Sequence, residues 1–253
     1  MTPIKAAPAR EGNFDDQIRS QIVADLLLLA ELHGRALRRD ALVTLWSRCY
    51  DGLLALTPRS VRLKGLLGGF CQCLTEIPTY VDRHTDALLS ADFRRLYHDD
   101  RCSRAESETG HGAHAGVVRV LDRKVLYGWG RRNGQTVADW ESEADGSLSM
   151  QLRQLACMVA TDGIALPAPD LSVQLGGRLL GSVDRFAERA MSCAETRLYR
   201  SLATLTSGYA HEVNDLLKQH GALHCAANDL SHTEVPIPFV TARCGPAGQS
   251  TLT

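Results

Sequence analysis

No stretch of this chain approaches the ~20 uninterrupted apolar residues that a bilayer-spanning helix needs. The N-terminal MTPIKAAPAREGNFDD has no apolar core of the kind a secretory leader carries. Both absences lead to the expectation of a cytoplasmic protein with no stable membrane insertion. An excess of one charge is missing as well: 28 Lys plus Arg stand against 29 Asp plus Glu, a net of −1. Such a balance gives no general affinity for nucleic acid or anionic membranes. Repeated CxxC pairs are absent. Cys49, Cys71, Cys73, Cys102, Cys157, Cys193, Cys225 and Cys244 are scattered, and in a reducing compartment most read as small buried hydrophobes. There is no GxxxxGK[ST] phosphate loop and no GxSxG elbow. No local constellation names a catalytic residue or a cofactor, so none is assigned and the protein is read as a non-enzyme.

What is present is helical periodicity. Residues 1–14 hold Pro3, Pro8 and Gly12 and read as a loose arm. From Asp15, Ile18, Ile22, Leu26 and Leu29 form a stripe that His33-Gly34 can end. Leu42, Leu45, Trp46, Cys49, Leu53 and Leu56 step by three and four, so a second helix is expected to run as far as Thr57-Pro58. Leu63, Leu66, Leu67, Phe70 and Leu74 define a third, weakened by Gly68-Gly69. Pro78 opens the next element, with Tyr80 and Val81 at its start and Leu88, Leu89, Phe93, Leu96 and Tyr97 at its end.

Residues 98–117 form a polar loop, and 117–129 fit either a short helix or a strand pair. Leu171 to Ala190 and Glu195 to Lys218 read as two more helices, and 221–253 as a tail without a core role. With no alternating strand and no internal repeat, the expectation is an all-α, single-domain bundle of seven or eight helices over residues 15–220.

Residues 138–160 concentrate the most contrast. Asp139, Glu141, Glu143 and Asp145 precede Leu148, Leu152, Leu155 and Val159, which share one helical face. Asp145 or Ser147 can accept the free N–H groups of the first turn, and negative charge suits that end of the helix dipole. A capped core helix after a solvated acidic loop explains the pattern. So does an acidic mouth leading into an apolar groove for a basic, partly apolar peptide. For a metal, His111 and His114 with Cys102, Asp99 and Asp100 are the best grouping, but HxxH without a third ligand at typical spacing is weak. Cys71 and Cys73 project to different faces of their helix, and His224, Cys225 and His232 lie in the tail. No metal ligand is therefore assigned.

At LLSADFRRLYHDD the chain resembles the TorD/DmsD-like chaperones that mature molybdenum enzymes. Asp92-Phe93-Arg94-Arg95-Leu96-Tyr97 fits their run of acid, aromatic, two variable residues, Leu or Phe, and aromatic. Ala105-Glu106-Ser107 resembles the Tyr-Glu-Ser that follows this helix in many members, and Trp129-Gly-Arg-Arg-Asn-Gly134 their approach to the next helix. Ala144-Asp145-Gly146-Ser147-Leu148 stands where they have Pro-Asp-(Asp/Asn)-His-Leu. Phe186 to Arg189 and Thr196 to Tyr199 resemble their closing pair of helices. The similarity covers roughly 15–218. It departs from the family at Ser147 for His, at Gly146 and at Gly130, where the family has an aromatic, and residues 98–128 match poorly.

The resemblance implies a TorD-like bundle, monomeric or homodimeric, that binds the twin-arginine leader or the body of an apo-molybdoenzyme catalytic subunit. Export is held back until the molybdenum cofactor is inserted. Glu143, Asp145, Ser147, Leu148, Gln151 and Trp129 are then the peptide-binding candidates, with Phe93, Leu96 and Tyr97 supporting the groove. Two rival readings are a helical metal- or cofactor-binding sensor using residues 98–114, and a helical interaction module with no leader preference.

Overall fold

Ile18, Ile22, Leu26 and Leu29 return to one side of a helix, and all four are buried along α1 (Gly12–Gly34) in the computed structural model of the chain. The structure describes residues 12–77, 81–98, 122–143, 147–161 and 179–231. Within them lie α2 (Arg39–Asp51), α3 (Val61–Glu76), α4 (Arg83–Tyr97), α5 (Arg123–Arg132), α6 (Leu148–Thr161), α7 (Leu180–Cys193) and α8 (Arg197–Ser231). A single 3-10 segment, Ala138–Ser142, precedes α6. No strand occurs among the described residues, and the helices form the expected all-α, single-domain bundle around one core. α1 packs chiefly on α6, α8 packs on both α3 and α7, and α5, α4 and α2 rest on α6, α7 and α3 respectively.

The cleanest periodicities become the most deeply buried faces. Leu148, Leu152, Leu155 and Val159 of α6 and Leu198, Leu202, Leu205, Tyr209, Val213 and Leu216 of α8 are all in the core. α8 extends to Ser231, past the end expected near His220. Ala222, Leu223, Ala226 and Ala227 are strong helix formers, and no proline intervenes before Pro236.

Two further boundaries differ from expectation. α2 stops at Asp51 rather than at Thr57-Pro58, because Gly52 takes φ +104°, a conformation that breaks the helix and suits glycine. Leu53, Leu54 and Leu56 remain buried although their backbone is irregular. α4 starts at Arg83, with the Asp82 carboxylate accepting the Thr85 N–H at 2.7 Å, so Val81 lies outside it. Of the undecided 117–129 region, the described part is helix from Arg123 onward. The loop 98–114, apart from His98, and the segment 162–178 lie outside the described residues.

Buried carboxylates hold the irregular connections by their backbone. Asp25 of α1 accepts the N–H groups of Ala55 at 2.6 Å and Leu56 at 2.9 Å and the Tyr209 hydroxyl at 3.1 Å. Burial raises the Asp25 carboxyl above its ordinary range, and these hydrogen bonds offset only part of that rise. Glu212 of α8 accepts Arg59 N–H at 2.6 Å and Ser60 N–H at 3.1 Å, while Ser60 caps α3 through the Leu63 N–H. Asp92 of α4 accepts the N–H groups of Glu195 at 2.9 Å and Thr196 at 2.7 Å, just before α8 begins.

Candidate functional site

The acidic mouth expected before α6 folds back on itself in part. Glu143 Oε1 lies 2.6 Å from Arg153 Nη1, with 12% and 6% of the two side chains exposed. The contact is one of charge with charge, since that nitrogen is not aligned for a hydrogen bond. Glu143 also accepts the Ser149 hydroxyl, and more distantly that of Ser147 at 3.4 Å. The Arg153 guanidinium stacks 4.9 Å from the centre of the Trp140 ring. Gly34, at the end of α1, approaches this pair so closely that a Cβ there would stand 2.9 Å from Glu143 Oε1. The carboxylate expected in an open mouth is instead half of a nearly dry ion pair, with its own arginine where a ligand's cation would otherwise bind.

Ser147 is the N-cap of α6: its hydroxyl accepts the Met150 N–H at 3.2 Å and its carbonyl the Gln151 N–H at 3.0 Å. Where the resembled family places a histidine, this chain places a capping hydroxyl. Gln151 is half-buried on the first turn of α6. Trp129 and Leu148 are a correction to the expected lining. At 4% and 6% exposure both are core side chains, because α5 and the start of α6 turn their apolar faces inward. Asp145 lies outside the described residues, as do His111, His114 and Cys102 of the rival metal reading.

Gly130, the departure from the aromatic of the resembled family, has a local cause. Trp140 fills that space: a Cβ on Gly130 would stand 2.6 Å from the indole ring and 3.1 Å from Val137 Cγ2. Gly134 sits in the turn after α5 at φ +71°, which explains the glycine there.

Phe93, Leu96 and Tyr97, the expected groove supports, pack into the core, Leu96 buried and Phe93 and Tyr97 half-buried. Their partner, absent from the sequence-based assignment, is His33. The rings of Phe93 and Tyr97 lie 4.6 Å apart, Tyr97 and Phe186 5.2 Å, and His33 stands edge-on to Phe186 at 5.3 Å. Thr206 donates its hydroxyl to the Leu202 carbonyl at 2.9 Å, which leaves it an acceptor toward His33 Nε2 at 2.8 Å. His33 therefore carries its proton on Nε2, and its Nδ1 accepts the Tyr97 hydroxyl. Burial drives the His33 ring down to about 3, so it is neutral near pH 7.

Accessible space lies beside the predicted mouth, along the outer face of α1. A hollow of about 580 Å³ is bounded by Leu27, Glu31, Arg35, Gln135, Trp140 and Arg153 among others. Hollows of about 520 Å³ and 320 Å³ adjoin it, the first toward Arg19 and Val23 and the second toward α2. All three share Glu31, and Leu27, Leu28 and Arg35 each border two of them, so they form one trough running along α1. Its apolar floor is Leu27 and Leu28, which pack on the core from outside. Glu31 and Arg35 pair across one helical turn on its rim with both side chains more than half exposed.

Among the described residues no group of three or more His, Cys, Asp and Glu is placed to hold a metal ion, and no helix is long and apolar enough to cross a membrane. No family model, no curated protein and no solved structure matches the chain.

Proposed function

We propose that the protein is a non-catalytic peptide-binding chaperone that holds a segment of a partner protein in the trough along α1. Following the resemblance of its motifs, the partner is an apo-molybdoenzyme catalytic subunit with a twin-arginine leader. Binding in the cytoplasm keeps that subunit from export until the molybdenum cofactor is in place. The observation that carries a binding role is the trough itself, an open channel over Leu27 and Leu28 with charged rims, continuous past Glu31.

The charges divide the work. The Glu31–Arg35 pair is exposed, and such pairs contribute little, roughly 0–1 kcal/mol. A client arginine can therefore take Arg35's place on Glu31 at small cost, and grip the carboxylate with two parallel hydrogen bonds. Glu141, exposed and only loosely paired with Arg131 at 3.7 Å, offers a second carboxylate outside the trough. Glu143 is not available on these terms, because separating it from Arg153 would strand a buried charge. Arg19, Arg38 and Arg48 border the same trough against Asp40, so an acidic stretch of the client's body suits the remaining walls.

The test is fluorescence anisotropy with a labelled twin-arginine leader, its twin-lysine form, and the apo-client. The expected result is saturable binding of the leader that weakens at least tenfold with twin lysine and with Glu31→Lys. Equal binding of both leaders reduces the protein to an interaction module without leader preference. No binding of leader or apo-client overturns the chaperone reading.

A further inference from the structure

The Sγ atoms of Cys49 on α2 and Cys71 on α3 stand 2.8 Å apart, both on half-buried residues with free thiols. We propose that these two residues are a site of reversible oxidation, closing to an intramolecular disulfide by exchange with a small-molecule disulfide such as oxidised glutathione.

The separation selects this chemistry over metal capture. A disulfide bond is ~2.05 Å long, so sub-ångström movement of two side chains closes it. Two thiolates on one tetrahedral zinc, each at ~2.3 Å, would stand about 3.8 Å apart, so the sulfurs would have to move away from each other rather than together. The described surroundings also supply no third ligand. The neighbouring Cys73, two residues along α3, turns into the core and is buried, so the CxC sequence does not form a competing pair. Cys157 is buried too, and Cys193 is on α7.

Burial first, then hydrogen bonding and charge from Cys71, push the Cys49 thiol up to about 12. Exchange opens at either thiol once it is ionised, here Cys71. Its thiolate attacks one sulfur of oxidised glutathione, the glutathione S–S bond breaks, and one glutathione leaves as its thiolate. Cys49 then gives its proton to water and attacks the Cys71 sulfur of the mixed disulfide, expelling the second glutathione. Two protein thiols are oxidised and one glutathione disulfide is reduced to two thiols. The bond joins α2 to α3 across the irregular connection 52–60. α2 also supplies Ala41, Thr44, Leu45 and Arg48 to one wall of the trough, so the bond fixes that wall.

The experiment incubates the full chain in mixtures running from reduced to oxidised glutathione, traps free thiols by alkylation, and maps linked peptides without reduction. Expected is a Cys49–Cys71 linkage that rises with the oxidised fraction, reverses with reduced glutathione, persists in Cys73→Ser and is lost in Cys49→Ser and in Cys71→Ser. Amide hydrogen exchange across 39–51 slows in the linked form. Cys49 left alkylatable in fully oxidised glutathione, or linked to any other cysteine, or a Cys71 adduct with glutathione that never resolves, each overturns the proposal.

Discussion

The carboxylate of Asp92 accepts the backbone N–H of Thr196 at 2.7 Å and that of Glu195 at 2.9 Å, tying the end of α4 to the entry of α8. Arg95 completes the arrangement with contacts to Asp92 at 3.2 Å and to Glu195 at 2.8 Å. The acid that opens the Asp92 to Tyr97 motif thus acts in the described structure as a cap supplied from another helix. Removing it leaves N–H groups without an acceptor near the core. Asp92→Ala is expected to lower stability by about 3 kcal/mol and Asp92→Asn by roughly half of that, since one amide oxygen still accepts. Urea denaturation of the three proteins measures both, and equal stability of Asp92→Ala and the parent protein removes the capping role.

His33 gives stability a definite pH slope. Its ring is held at about 3 in the folded protein, against ~6.5 in an unfolded chain. Between those values the unfolded chain binds a proton that the folded chain refuses. Stability is therefore complete above pH ~6.5 and is lost as pH falls toward 3, by up to ~1.4 kcal/mol per pH unit from this group. His33→Gln is expected to be less stable at pH 7, through loss of the contacts with Tyr97, Phe186 and Thr206, yet to show a shallower decline between pH 6 and pH 4. Unfolding midpoints taken across that range decide it, and parallel slopes would mean that His33 does not titrate as described.

Gly130 has no room for a methyl group beside the Trp140 ring. Because that ring is buried and also carries the Arg153 guanidinium, it cannot swing aside freely. Gly130→Ala is expected to cost about 2 kcal/mol by overpacking, despite alanine's better helix propensity. Thermal denaturation with tryptophan emission as the probe reports both the loss and the displaced ring, and a higher melting temperature would refute the packing.

The Glu143–Arg153 pair should behave as a unit. Arg153→Met leaves a carboxylate in a nearly dry site and is expected to cost about 3 kcal/mol. Adding Glu143→Gln removes the stranded charge and should recover a third or more of that loss. A double-mutant cycle on chemical denaturation gives the coupling, and strictly additive losses would show that the two side chains do not interact.

What the sequence made legible was periodic. The stripes of α1, α3, α6 and α8 are the faces that became core, because one-sided apolar spacing leaves a helix few other ways to bury itself. What it hid was the reach across the chain. The end of α2 depends on Gly52 and on Asp25, 30 residues before the Ala55 amide that it holds. The inward turn of Glu143 depends on Arg153, and its only sign was one arginine among the apolar residues of α6. His33, which reads as the last turn of a helix, is a buried ring that packs on Tyr97 of α4 and Phe186 of α7 and is hydrogen-bonded to Thr206 of α8. Of the candidate site, the cap at Ser147 was readable from its position before Leu148. The burial of Trp129 and Leu148 was not, because periodicity fixes which residues share a face and leaves open whether that face meets solvent or a neighbouring helix.

Asp25, Glu212 and the α4 acid grip main-chain amides, which every residue type but one can offer. The grips themselves make no demand on side-chain identity and forbid only proline at the gripped positions, so that within 55–60 and 195–196 the side chains answer to other contacts, as Leu56 does in the core and Ser60 as the cap of α3. Over long divergence such segments can change letter by letter while the path of the chain stays put, and likeness between relatives would then survive in three scattered acids more readily than in any continuous run.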